Sequence, residues 1–165
     1  MISTYGILGT LKIVQSFVYT KLFFPQARLI RLPFDIRNSR YIRIGRKFTT
    51  GFACRIEAFP LVKENENCIT IGANVQINDY VHITAMSNVI IGNNVLIASK
   101  VYISDCSHGF YNGGEIDSSP EQSPIDRSYN ISEVIIEDNV WLGEFVSVLP
   151  GVKIGKGAII GSNSV

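Results

Sequence analysis

Histidine is scarce in this chain: only His82 and His108 occur in 165 residues. Two histidines far apart, with no C-x-x-C pair nearby, provide no cluster that could ligate a metal. Cysteine is almost as sparse. Cys54, Cys68 and Cys106 are odd in number, which argues against a disulfide framework and for a reducing compartment. No apolar run reaches the roughly 18 residues of a membrane span. The first residues lack a charged segment followed by a small-residue cleavage site, so no secretory leader is read. Acid is missing from one half. Residues 1–50 hold nine Lys and Arg and a single acid, Asp35, so the formal net charge of +1 divides into about +8 and −7. That asymmetry points either to a basic surface for an anionic partner or to a basic segment docked on an acidic body. The length fits one domain with its own core.

What is abundant is a period of six. From Ile71 the chain reads I-G-A-N-V-Q, I-N-D-Y-V-H and I-T-A-M-S-N, then two extra residues, then I-G-N-N-V-L, I-A-S-K-V-Y and I-S-D-C-S-H. Position one is always Ile, position five is Val or Ser, and position two is small or turn-forming. Six matches neither a helix of about 3.6 residues per turn nor a lone strand of period about 2, so the pattern signals a repeat architecture. The physical reading is a coil with three short flat faces, one hexad for each face and corner. Position one points inward and stacks on its counterparts above and below. Position five also points inward, where bulk would not fit. Gly and Asn near the corners tolerate positive φ. An ordinary parallel sheet would need crossovers of about a dozen residues, and the spacing leaves no room for them.

Residues 5–24 read as a helix, with Ile7, Leu8, Leu11, Val14, Phe17 and Val18 at spacings of three and four. Pro25 ends it, and Lys21 complements the dipole of its last turn. Its apolar face would meet the coil, a neighbouring subunit or a bilayer surface, with packing on protein the expected outcome. Residues 27–36 read as extended lead-in. Imperfect sixes begin at Tyr41, which divides the chain into a basic lead-in over 1–40 and a coil over 41–165. Val62 to Asn67 is polar and reads as a loop. Residues 109–132 have no period, two prolines and many turn formers, and a loop of that length is usually functional or disordered. The sixes return at Ile136 and run to Val165 with no element covering the last turn, so the reading expects a fragment or a shortened product.

The motifs then become specific. The chain carries an N-terminal Y-G-x-x-G-x-L helix, Q-I-N-D-Y-V-H-I, L-I-A-S-K-V, S-D-x-x-H-G and the run V-W-L-G-E-F-V-S-V-L-P-G-V-K-I-G-K-G-A-I-I-G-S-N-S-V. It resembles the hexapeptide-repeat O-acetyltransferases, most of all those of lipopolysaccharide and O-antigen, and is similar to the maltose and galactoside acetyltransferases. The resemblance implies an all-β fold: a left-handed parallel β-helix with an N-terminal α-helix and one long protruding loop. It implies transfer of acetyl from acetyl-CoA to a hydroxyl of a cell-surface glycan or its lipid-linked precursor, in a homotrimer. It implies no metal and no nucleic acid. The expected place is the cytoplasm, with peripheral contact to an anionic inner membrane face left open.

By the same resemblance His108 is the catalytic base. A sugar hydroxyl must lose its proton as it attacks a thioester, and an imidazole of pKa about 6.5 suits that task. His82 is expected to be structural or to form a rim. Asp105 would orient the imidazole or bind a sugar hydroxyl. Cys106 stands where relatives carry the first His of D-H-x-H; direct transfer is expected rather than an acyl-cysteine, because a lone Cys needs an activating partner. Asn78 matches the substrate-side asparagine, with Asp79 beside it, and the other reading of Asn78 is a corner Asn that tolerates left-handed backbone. Met86 replaces a sugar-binding Asp, which implies a different acceptor. Trp141 would line the CoA groove, backbone N–H groups near Gly143 and Glu144 would face the developing oxyanion, and Gly161 and Ser162 would continue the CoA contacts. Two other readings stay open: N-acetylation of an amino or nucleotide sugar, and a non-catalytic β-helix used in assembly.

Overall fold

Each hexad lays down one short strand and one corner. In the computed structural model, which describes residues 2–61, 67–114 and 116–165, the strands stack into three parallel sheets of five. The first face holds Phe34–Arg37, Cys54–Ala58, His82–Ala85, Tyr102–Ser104 and Ser147–Val148. The second holds Ile42–Ile44, Ile69–Ile71, Val89–Ile91, Val134–Ile136 and Lys153–Ile154. The third holds Thr49–Thr50, Gln76–Ile77, Leu96–Ile97, Trp141–Leu142 and Ile159–Ile160. The chain visits the faces in rotation, so residues one turn apart become ladder partners. The polar stretch at 62–66 lies outside the described residues.

The core is the stack of position-one side chains. Ile56, Ile83 and Ile103 register on the first face, Ile71, Ile91 and Ile136 on the second, and Ile77, Ile97 and Leu142 on the third, each at most 1% exposed. Burying one such side chain is worth about 1.5–3 kcal/mol, so the repeat itself drives the coil. Val75, Val81, Val95 and Val101 fill the remaining interior from position five.

Position four forms the corner. Asn74, Tyr80, Asn94, Lys100, Asn139 and Phe145 all adopt φ between 55° and 61°. Left-handed backbone costs most side chains roughly 1–2 kcal/mol, and Asn tolerates it best. The asparagines add a ladder of their own: Asn74 Nδ2 donates to Asn94 Oδ1 at 3.0 Å, and Asn94 Nδ2 to Asn139 Oδ1 at 3.2 Å. Glycine at position two serves a different need from the one the sequence implied. A Cβ on Gly72 would lie 2.5 Å from the carbonyl oxygen of Gly92, so the next turn closes in on it. Close approach, not positive φ, selects glycine there.

The coil begins before Tyr41. Phe34–Arg37 pairs with Cys54–Ala58 residue for residue, and Leu29 bridges Thr49, so the lead-in already supplies the first turn. Over it lies helix α1, Ile2–Phe23, kinked at Gly6. Helix α1 docks by its small and polar side. Ser16 and Thr20 are buried; Thr20 Oγ1 accepts the N–H of Ile30 at 2.8 Å and Ser16 Oγ that of Leu32 at 3.1 Å. Of the three partners open to its apolar face, the coil of the same chain is not the one used: Ile7, Leu11, Val14, Val18 and Leu22 all stay exposed. The buried donors of Ile30 and Leu32 need partners, and Ser and Thr provide them where Leu or Val would not.

After Asp105 the rotation stops. Cys106–His108 pairs antiparallel with Tyr129–Ile131, the only antiparallel pair among the described residues, and the chain rejoins the second face at Val134. Between the two arms the chain carries one short 3-10 turn, Pro124–Asp126.

Candidate active site

His108 ends the first arm of this ribbon. Its carbonyl and the N–H of the next residue are both held. The N–H of Gly109 donates to Ser128 O at 2.9 Å, Tyr111 Oη donates to His108 O at 2.6 Å, and Arg127 Nη1 donates to Tyr111 Oη at 2.7 Å. The imidazole itself is exposed, with the Tyr129 ring 4.7 Å away and tilted. The imidazole thus lies exposed beside the Tyr129 ring, above a hydrogen-bonded backbone. The rest of the excursion is tied internally. Asp117 accepts the N–H groups of Asn112 and Gly113, both at 2.8 Å, and those bonds hold its carboxyl below the usual carboxylate range.

Asp105 does not face this imidazole or a sugar. Its side chain is fully buried, and it accepts the N–H of Met86 at 2.8 Å and those of Ser87 and Asn88 at 2.7 Å each. Three charge-assisted bonds occupy both oxygens, because the turn at 86–88 leaves the ladder and its donors must be satisfied. Asp105 is a fastening for the strand that carries His108. Cys106 follows it, half-buried, with Sγ 3.4 Å from Ser104 Oγ; burial pushes its thiol up. A raised thiol is a poor nucleophile near neutrality.

Asn78 and Asp79 sit at a corner between the third and first faces. Asn78 Oδ1 accepts from Gln76 Nε2 at 3.1 Å. Asp79 Oδ1 accepts the N–H of Phe52 at 2.7 Å and lies 3.4 Å from Arg31 Nη1, so it ties one corner to the next and to the lead-in. Asn78 keeps its amide nitrogen for another partner; Asp79 has one oxygen already committed.

Trp141 points outward on the third face, in register between Leu96 and Ile159. All three are exposed, Trp141 by 48% and Ile159 by 68%. This column is an apolar track three turns long. Gly143, below it, is buried; a Cβ there would meet the Ser162 nitrogen at 2.7 Å. Its N–H donates to Ile160 O at 2.9 Å. The ladder thus occupies the Gly143 donor, while its neighbour Glu144 is exposed. Gly161 and Ser162 are exposed in the last turn, where Gly161 O accepts from Ser164 Oγ at 2.8 Å.

Within one chain these groups do not converge. His108 leaves the coil between the first and second faces, and Trp141 lies on the third. Sequence reasoning also missed a polar cluster on the outer first face. His82 Nε2 lies 2.7 Å from Glu57 Oε1, and Arg55 Nη2 lies 3.2 Å from His82 Nδ1. Arginine can only donate, so Nδ1 accepts and Nε2 carries the proton given to Glu57. Arg37 pairs with the same carboxylate at 3.0 Å. Beside the cluster runs an open groove of about 590 Å³ lined by Phe34, Asp35, Arg55, Tyr80 and His82. Only strand register could have shown it, since residues 25 and 27 apart meet across turns. Among the described residues no group of His, Cys, Asp and Glu could hold a metal ion.

The family model described as bacterial transferase hexapeptide (six repeats) matches residues 133–165. The chain is 43% identical over 161 residues to the provisionally named lipopolysaccharide biosynthesis O-acetyl transferase WbbJ of Escherichia coli K12, covering 98% of this chain and 80% of that one. It is 33% identical over 97 residues to a galactoside O-acetyltransferase of Lactococcus lactis, spanning 42% of that protein. Among solved structures, the N-acyltransferase AntD of Bacillus cereus, in complex with dTDP-4-amino-4,6-dideoxyglucose and coenzyme A, superposes with a TM-score of 0.65 at 19% identity, over 84% of this chain and 68% of that one. That likeness is one of fold, and with the three parallel sheets it fits a left-handed β-helix.

Proposed function

We propose, for a chain that belongs to the bacterial hexapeptide-repeat transferase family and is an acyltransferase using acetyl-CoA, that it acetylates a hydroxyl of a cell-surface glycan or of its lipid-linked precursor. The observation that carries this reading is His108: an exposed imidazole on a backbone tied by Gly109, Tyr111 and Ser128. The similarity to a relative named for O-acetyl transfer in lipopolysaccharide biosynthesis supports a hydroxyl over an amine.

Acetyl-CoA, when bound, supplies the thioester carbonyl. His108 takes the proton of the acceptor hydroxyl as its oxygen attacks and returns a proton to the departing thiolate. General-base help of this kind is worth ~10²–10⁴ in rate. The Leu96–Trp141–Ile159 track would hold the pantetheine arm, with Gly161 and Ser162 further along it. The Glu144 N–H would face the negative charge that develops on the carbonyl oxygen. Asn78 would position the acceptor, offering both a donor and an acceptor to a sugar hydroxyl.

Because His108 and the Trp141 track lie on different sides of one coil, the complete site would be shared between two copies, and the hexapeptide-repeat family supports a closed homotrimer as the assembly. The excursion at 109–132 would then wall the acceptor site against a neighbouring coil. The test is thiol release from acetyl-CoA with hydroxyl-bearing and amine-bearing sugar acceptors, alongside light scattering. Turnover with hydroxyl acceptors by a trimer is expected. Turnover with amine acceptors alone would establish N-acylation instead. A monomer that turns over would overthrow the shared site.

A further inference from the structure

Helix α1 carries two stripes in antiphase. Ser16 and Thr20, four apart, are buried against the lead-in; Ile7, Leu11, Val14, Val18 and Leu22 recur at four, three, four and four, and stay exposed. A surface helix of a globular protein normally has the reverse arrangement. Leu8 and Phe17 widen the outward stripe, and Leu8, Leu22 and Ile7 are 76%, 70% and 69% exposed. This is a contiguous apolar ridge about 25 Å long at about 1.5 Å per residue from Ile7 to Phe23. An apolar patch of that extent marks an interaction surface.

Charge decides between occupants. Lys12 and Lys21 are exposed on the helix, and Arg28, Arg40, Arg43, Arg46 and Lys47 are exposed in the segments that follow. Lys21 Nζ reaches back over the Phe17 ring at 5.3 Å, stem along the ridge and charge at its edge. A second copy seated on this ridge would set these exposed cations against its own. An anionic lipid surface would neutralise it while taking up the apolar side chains. The helix is not a span, since no described helix is long and apolar enough to cross a membrane.

We infer that helix α1 lies in the plane of an anionic lipid surface, its Ile7–Leu22 ridge inserted among the acyl chains and its polar side fastened to the first turn of the coil. The enzyme then rests on the membrane by the end that carries Ile30 and Leu32. The inference rests on the helix and on the basic segments that follow it, and is independent of the acyl acceptor.

The test is co-sedimentation of the full chain with vesicles of phosphatidylcholine alone, or of phosphatidylcholine with phosphatidylglycerol. Binding to the anionic vesicles is expected, weakening as salt shortens the screening length to about 8 Å at physiological strength. The variant carrying Leu11→Glu and Val18→Glu should bind at least about tenfold more weakly, with unchanged thermal stability because both side chains are exposed. No binding to anionic vesicles, or undiminished binding by the variant, would overturn the inference. So would a change of oligomeric state in the variant by light scattering, which would show that a second copy covers the ridge.

Discussion

Asp105 Oδ2 accepts the backbone N–H of Ser87 at 2.7 Å, and this bond ties the turn at 86–88 to the strand that leads into His108. The same carboxylate takes the N–H groups of Met86 and Asn88. Asp105→Ala would strand three donors in the interior. We expect a loss of about 3–5 kcal/mol in stability, read from a denaturant midpoint. Asp105→Asn should lose less, since an amide oxygen still accepts. If Asp105→Ala kept full stability and lost only turnover, the residue would be facing substrate and not the turn.

His108→Ala should lower kcat by ~10²–10⁴ and leave the affinity for acetyl-CoA nearly unchanged, because the imidazole acts on the acceptor hydroxyl. Cys106→Ala should keep most of its turnover, and its raised thiol should react more slowly with iodoacetamide than an ordinary cysteine at neutral pH. Steady-state kinetics with calorimetry of the cofactor separates the two. A dead Cys106→Ala beside an active His108→Ala would reverse the mechanism.

Glu137 accepts the N–H of Lys156 at 2.9 Å and lies 3.2 Å from Lys153 Nζ, and these contacts hold its pKa below the ordinary 4.5. A depressed folded value contributes stability that is present above the ordinary value and lost as pH falls through the lowered one. Glu137→Gln should therefore unfold at lower denaturant than the parent chain at pH 7. The two curves should approach one another as the pH is taken below about 4.5. A difference independent of pH would assign the effect to packing.

Asn94 holds left-handed backbone and bonds to Asn74 and Asn139 through its amide. Asn94→Ala loses both bonds and keeps the strained φ, so a cost of roughly 1–3 kcal/mol is expected. Asn94→Gly should recover part of it by relieving the backbone alone. Equal stability of all three chains would mean that the corner is indifferent to its residue.

The coil was legible because one residue type, Ile, marks the inward position of every hexad from Ile71 to His108, and burial selects it directly. Corners were half legible. Asn at 74, 94 and 139 announces positive φ, but Tyr80, Lys100 and Phe145 adopt the same backbone with no such signal. Gly72 was read as a corner residue and instead makes room for Gly92. Asp105 was misread because a carboxylate near a candidate base looks chemical in one dimension; its partners lie 17 to 19 residues earlier, on the turn below. The Glu57–His82–Arg55 cluster was invisible for the same reason. In helix α1 the apolar period was visible, but the side that docks was decided by two hydroxyls answering Ile30 and Leu32.

The antiparallel ribbon bearing His108 has a further meaning for how such a protein can vary. Its arms close on each other, and the chain re-enters the second face opposite Val89 as though nothing had intervened. Residues between Gly109 and Ser128 can therefore change in number without shifting the register of any turn. Doubling a flexible loop costs only about 0.6 kcal/mol of closure entropy. A lineage of such chains could exchange acceptors by rewriting this one segment while the stacked isoleucines stayed as they are, with selectivity and stability free to evolve apart.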